Sequence, residues 1–212
     1  MALLHRCGRR NDPPLVDKIL ADLKGPALRQ PAAVEQAMGV AAKTLIDILV
    51  QMHAAVAGLN AALEEAFSEH ELAPVLTSVP GLGTVLSARI LGEIGDDMAR
   101  FETTANLKSF AGTAPVTRAS GRSSYVKARK VRNKRLGDAC HWWAYASLTR
   151  SPAARAYYDH RRRLGDTHNA ALRNLANKLL GRLWWCMQNQ QLWDDNAAWS
   201  TWNETERGTA AA

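Results

Sequence analysis

A mostly α-helical protein is the fold class this sequence predicts: a long coiled-coil-like helix, then a helical domain with a helix-hairpin-helix and one small β-hairpin. Three observations predict it. Apolar residues recur at helical spacing along most of the 212 residues, strand-like segments are confined to one stretch after Thr113, and capping residues stand at the breaks between apolar runs. The resulting division is an N-terminal basic arm and short helix over 1–30, a long helix over 31–73, a helical domain over 74–190 and a flexible tail over 191–212.

Each element follows from local chemistry. Residues 1–13 read as unstructured, and a short helix runs from about Leu15 to Leu23, stopped by Gly25-Pro26. From about Pro31 to Glu69, apolar residues fall at Val34, Met38, Ala41, Leu45, Ile48, Met52, Ala55, Leu59 and Ala62. Those steps alternate four and three, the spacing of a heptad seam. A coiled coil and an amphipathic helix packed on its own domain both produce that pattern. Past Pro74, a short helical segment over Val75–Val79 meets Pro80-Gly81-Leu82-Gly83, and a helix runs from Thr84 to Ile94. Thr103 and Thr104 cap a helix through Leu107 to Ala111. Ala114–Thr117 and Ser123–Val126 read as two strands about an Ala119-Ser120-Gly121 turn. A helix from about Lys134 to Thr149 follows. Ser151-Pro152 caps the next, which ends in Arg161-Arg162-Arg163, and Asp166 or Thr167 caps the last, which runs to about Gln190.

Composition narrows the function. With 47% hydrophobic and 22% charged residues, wholesale disorder is excluded. No stretch reaches the roughly 20 uninterrupted apolar residues of a membrane span, and no apolar run follows the N-terminal arginines, so neither a membrane nor a secretory signal is expected. Cys7, Cys140 and Cys186 are too scattered for a disulfide framework or a zinc site; a reducing cytoplasm is the expected location. The net charge of +7 is unevenly spread. Residues 101–163 hold 14 basic and 3 acidic residues, and the remainder is net negative. Such polarity points to an anionic partner, with nucleic acid the first candidate.

Three constellations could carry chemistry. The helix–glycine turn–helix around Gly81 and Gly83 can bring backbone N–H groups to a phosphate without reading sequence, or can be an ordinary turn between packed helices. The second is basic: Arg118, Arg122, Lys127, Arg129, Lys130, Arg132, Lys134 and Arg135 lie within 18 residues that contain no acid. That run suits successive phosphates; a solvated basic loop is the alternative. The third is the hydroxyl set Ser120, Ser123, Ser124 and Tyr125. Ser120 stands between Arg118 and Arg122, where guanidinium groups could hold a phosphodiester for attack, although a Ser-Gly step is commonly just a turn. Trp142-Trp143 and Trp184-Trp185 read as core packing rather than base-stacking surfaces, and Glu93, Asp96 and Asp97 as the end of a helical unit rather than a metal site. No His spacing suggests a metal, and no nucleotide-binding fingerprint is present.

Several of these strings together resemble a known family. Leu76-Thr77-Ser78-Val79-Pro80-Gly81-Leu82-Gly83 and Ile90-Leu91-Gly92-Glu93-Ile94-Gly95-Asp96 are followed in order by Phe101, Leu107-Lys108-Ser109-Phe110-Ala111-Gly112, Ala114-Pro115-Val116 and Ser120-Gly121. Arg155-Ala156-Tyr157-Tyr158 and the helix from Ala170 to Leu183 also fit. The stretch from Val75 to Met187 is similar to the C-terminal half of bacterial insertion-sequence transposases of the DEDD (IS-one-ten) type. The resemblance implies a serine nucleophile for DNA strand cleavage and transfer, which by motif is Ser120. It implies DNA as partner, a structured guide RNA for some members, and assembly as a homo-oligomer or with full-length transposase through the 31–69 helix. It also implies a RuvC-like domain with four acids for Mg²⁺. Residues 1–74 match neither its strands nor its acids, so a truncated transposase is expected, with no metal bound by this chain itself. A non-catalytic nucleic-acid-binding remnant, or a partner subunit acting through the long helix, is the alternative.

Overall fold

The structure, a computed structural model, describes residues 13–26, 29–200 and 202. Of the arm expected to be unstructured over 1–13, residues 1–12 lie outside the described residues, as does the end of the tail, 203–212, while Pro13 begins a helix. The chain divides into two compact units, residues 1–56 and 57–212.

The first unit holds helix α1 (Pro13–Lys24) and most of helix α2 (Ala32–Ser68), which continues into the second. In the first turn of α2, Glu35 pairs with Arg29 at 2.6 Å and accepts from the Gln30 N–H at 3.1 Å. The single long helix expected over 31–69 is present, 37 residues long. Its large apolar side chains are exposed: Met38, Leu45, Met52 and Leu59 on the heptad seam, and Val40, Ile46, Leu49 and Val56 beside it. The apolar surface is therefore wider than the seam. One 18-residue stretch of α2 reaches a mean hydropathy of 1.4 with none of it buried, so by length and composition the helix could also cross a bilayer. The helix holds no uninterrupted apolar run of that length, because Asp47, Gln51, His53 and Asn60 break its sequence.

The second unit is a helical domain with one two-stranded sheet. Helices α3 (Ala73–Thr77), α4 (Thr84–Ile94) and α5 (Thr104–Ala111) precede the hairpin strands β1 (Val116–Ser120) and β2 (Ser123–Lys127). Helices α6 (Lys134–Ser147), α7 (Pro152–Arg163) and α8 (His168–Asn189) follow. Helix α8 is the centre: Leu172, Leu175, Leu179, Leu180 and Leu183 are buried at three- and four-residue spacing against α6, α7, α5 and α3. Four caps fix the register of these helices. Thr103, Asn133, Ser151 and Thr167 each accept a backbone N–H from three residues ahead, at the starts of α5, α6, α7 and α8.

Two expectations need correction. The Trp142-Trp143 pair is not all core. Trp143 is fully buried and donates its indole N–H to the Pro80 carbonyl at 3.0 Å, whereas Trp142 is 52% exposed. Adjacent residues on a helix point about 100° apart, so a pair cannot share one buried face. The chain beyond 190 also differs from a flexible tail over its described part. Trp199 is buried against Tyr157, and residues 195–200 are helical. Asp195 accepts from Ser151 Oγ at 2.9 Å and from the indoles of Trp193 and Trp199, while the Trp193 N–H donates to Ser78 Oγ at 2.9 Å. Those partners lie 44 and 115 residues away in sequence, beyond the reach of local pattern.

Candidate nucleic-acid interface

The hairpin stands on the surface because its sequence has nothing to bury. From Thr117 to Ser120 the β1 residues are exposed, and so are Tyr125 and Val126 on β2. Register sets the faces. Arg118 pairs with Tyr125, Ser120 with Ser123 and Val116 with Lys127, and residues directly opposite share a face. One face therefore carries Arg118, Ser120, Ser123, Tyr125 and Lys127, with the Lys127 ammonium 4.8 Å from the Tyr125 ring centroid. The turn is Gly121-Arg122, one residue later than expected, because Ser120 is still in the ladder. Gly121 has φ +56°, which a glycine at the first central position of a tight hairpin turn accepts without strain. Among the described residues Ser120 makes no side-chain hydrogen bond, so it is presented without an attached base.

The remaining basic residues lie at the hairpin root. Arg129, Lys130, Arg132 and Lys134 line an open cavity of about 830 Å³, together with His141 of α6 and Arg173 of α8. Arg173 and His141 were not legible as site residues; only the packing of α6 on α8 brings them to the hairpin. Arg135 is otherwise engaged, pairing with Glu93 at 2.6 Å. Glu93 also accepts from Asn133 Nδ2 at 2.6 Å. The Asn133 hydrogen bond and the Arg135 charge hold the Glu93 carboxyl below its ordinary range, against the opposing effect of burial.

The three acids that close α4 each have a structural partner. Beside Glu93, Asp96 bonds His70 at 2.9 Å, and Asp97 accepts from the Ala99 N–H at 2.8 Å. Among the described residues no three His, Cys, Asp or Glu side chains group in a way that could hold a metal ion.

Gly81 and Gly83 do not join this surface. The turn they form packs on the C-terminal end of α6, where a Cβ on Gly81 would meet the Ser147 backbone nitrogen at 2.6 Å. The cavity lies toward the other end of that 14-residue helix, whose length is about 20 Å. Arg89, the one basic residue near the turn, is paired with Asp138 at 2.9 Å.

A helical domain that raises an exposed basic hairpin above a basic cavity has the form of a polyanion-binding module. Comparison with known proteins points to one family. Residues 73–159 match the model of the Transposase IS116/IS110/IS902 family. The chain is 44% identical to the mini-circle protein of IS117 from Streptomyces coelicolor over 188 residues, 87% of this chain and 45% of that one. It is 33% identical to the 43.6 kDa protein of insertion element IS110 from the same species, over 86% of this chain and 47% of that one. It is 40% identical to the 42 kDa protein of insertion element IS900 from Mycobacterium paratuberculosis, over 59% of this chain and 32% of that one. The aligned part thus spans a third to a half of the relatives it matches.

Proposed function

We propose that this chain supplies the DNA-binding and strand-transferring part of a transposase, with Ser120 as the nucleophile. The observation that supports this most is the hairpin face, where Ser120 shares an exposed surface with Arg118, Tyr125 and Lys127. In the step, Ser120 Oγ bonds to phosphorus as one P–O bond to the deoxyribose breaks. The serine proton passes to a base or water, and the departing sugar oxygen takes up a proton. Arg118, Arg122 and Lys127 hold the non-bridging oxygens and offset the charge that develops on them. The phosphoserine ester keeps the strand attached for transfer to a second strand.

Around that step, Arg129, Lys130, Arg132 and Lys134 bind the nucleic-acid backbone, and a structured RNA is a second polyanion with the same chemistry. The backbone of Gly83, at the start of α4, is a further phosphate contact. Helix α2 pairs with a second copy of this chain or with a longer transposase, which would cover its exposed apolar residues. The bacterial cytoplasm, at the nucleoid, is where these partners meet. The Mg²⁺ that the family resemblance implies does not fit the described residues, which group no set of acids, and no step is assigned to it.

A second reading has one observation in its favour: no side-chain base is bonded to Ser120 among the described residues. On that reading the chain binds nucleic acid without catalysis. Incubation with end-labelled DNA carrying the ends of the encoding element, followed by denaturing electrophoresis, separates the two. A covalent protein–DNA band that Ser120→Ala removes and Ser123→Ala keeps supports the first. Unchanged DNA binding with no covalent band supports the second.

A further inference from the structure

We infer that the cavity at the hairpin root holds an unpaired nucleotide, its phosphate between Arg129 and Arg173 and its base on the aromatic residues of α6. This rests on the nucleic-acid reading above and deepens it, assigning a strand state and residues outside the basic run.

Two independent observations carry it. The first is the pair of buried donors. Arg129 and Arg173 both line the cavity, and the Nε of each is buried with no hydrogen-bond partner. Buried donors in proteins are nearly always bonded. These two approach one space from different elements, the segment after β2 and helix α8. A phosphate, with several acceptor oxygens, can bond both together. Asp138, the carboxylate on the wall, is committed to Arg89 and does not oppose an anion. A volume of about 830 Å³ exceeds what a phosphate alone needs and suits a nucleotide.

The second observation is aromatic. His141 lines the cavity, its ring lies edge-on to Trp142 at 5.9 Å, and Trp142 lies edge-on to Tyr145 at 6.2 Å. Trp142 and Tyr145 are each 52% exposed. Half-exposed indole and phenol rings, reached from the arginine-lined cavity through His141, offer the kind of stacking surface that single strands use. Bases of a duplex are already stacked on each other and do not reach such faces; an unpaired base does. Ala128, directly after β2 ends at Lys127, is part of the cavity wall. A strand on the hairpin face is thereby led toward the cavity.

The test is fluorescence anisotropy of labelled oligothymidylate, oligouridylate and a short DNA duplex with the full chain, Trp142→Ala and Arg173→Gln. Thermal melts of both variants accompany it. Trp142 is exposed, so its variant keeps the fold even if Arg173→Gln does not. Each folded variant is expected to weaken oligothymidylate binding about tenfold while duplex binding changes less than about twofold. Equal binding of oligouridylate supports the shared chemistry of an unpaired nucleotide; preference for one probe assigns the source as DNA or RNA. Duplex and single strand weakened alike, or neither weakened, overturns the inference and leaves the nucleic-acid reading standing. Failure of the unaltered chain to bind any probe overturns both.

Discussion

At the scale of single residues, the two glycines of the Pro80–Gly83 turn perform different tasks that the sequence presents as one motif. Gly81 has φ +83°, and any Cβ there would strike the backbone of α6 at Ser147. Gly83 has φ −85° and open space around it, and its carbonyl accepts the Ser87 N–H at 2.9 Å. Gly81→Ala is expected to destabilise the chain by about 2 kcal/mol or more, from left-handed backbone strain and overpacking together. Gly83→Ala should cost under about 1 kcal/mol, the scale of a changed N-cap residue. Urea unfolding of both variants checks this, and equal losses would refute the distinction. If the Gly83 backbone approaches a phosphate, its variant will also fold normally yet bind DNA more weakly. Tryptophan teaches the same lesson: Trp142 and Trp143 are identical in composition and opposite in environment, because a helix turns between them.

At the scale of elements, legibility followed the range of the interactions. The expected bounds of α4, Thr84 to Ile94, coincide with the structure because proline and glycine bracket them. The four cap residues sit where short-range rules put them, and the hairpin was visible through its own turn and charge. What escaped were arrangements made across the fold: Arg173 and Arg129 lining one cavity, Trp199 against Tyr157, and Glu93 bridging α4 to the start of α6. Glu93 is a case where the element junction has a pH signature. Its folded carboxyl is held below the ordinary value of 4.5, by Asn133 first and then Arg135. The stabilisation is fully present above about 4.5 and is lost as pH falls through the lowered folded value. Glu93→Gln is expected to cost roughly 1–2 kcal/mol at neutral pH and to flatten the acid side of the stability profile. Thermal melts from neutral to acid pH measure both, and parallel profiles would remove Glu93 from the linkage. Helix α2 poses a different question, since what covers its apolar residues is not in the chain's own core. Met52→Glu with Leu59→Glu, both on the exposed seam, is expected to abolish self-association in sedimentation. A chain that is monomeric before substitution and floats with lipid vesicles would instead give α2 to a bilayer.

At the scale of the whole molecule, the charge is arranged as a division of labour. Residues 101–163 hold the basic excess, and the remainder is net negative. The packed helices give that excess a platform: α6 and α8 carry the cavity, the hairpin extends the basic surface from it, and Trp199 with Asp195 secures α7 to the chain's C-terminal part. On the proposed function, binding energy is concentrated in few phosphate contacts rather than spread over a uniformly cationic surface. Each phosphate neutralised on a duplex releases counterions and contributes about −0.9 to the slope of log affinity against log salt. If about half of the eight cations between Arg118 and Arg135 contact phosphate, the slope is expected near −4. Changing Lys127 and Lys130 to Gln should make it shallower by about 2, with little change in melting temperature because both side chains are exposed. The control is Lys18 and Lys24 changed likewise on α1, which lies outside the basic segment and should leave the slope within about 0.5 of its starting value. A slope shallower than about −1, or equal losses from the two pairs, would mean that the chain's general charge attracts DNA and that the hairpin does not grip it.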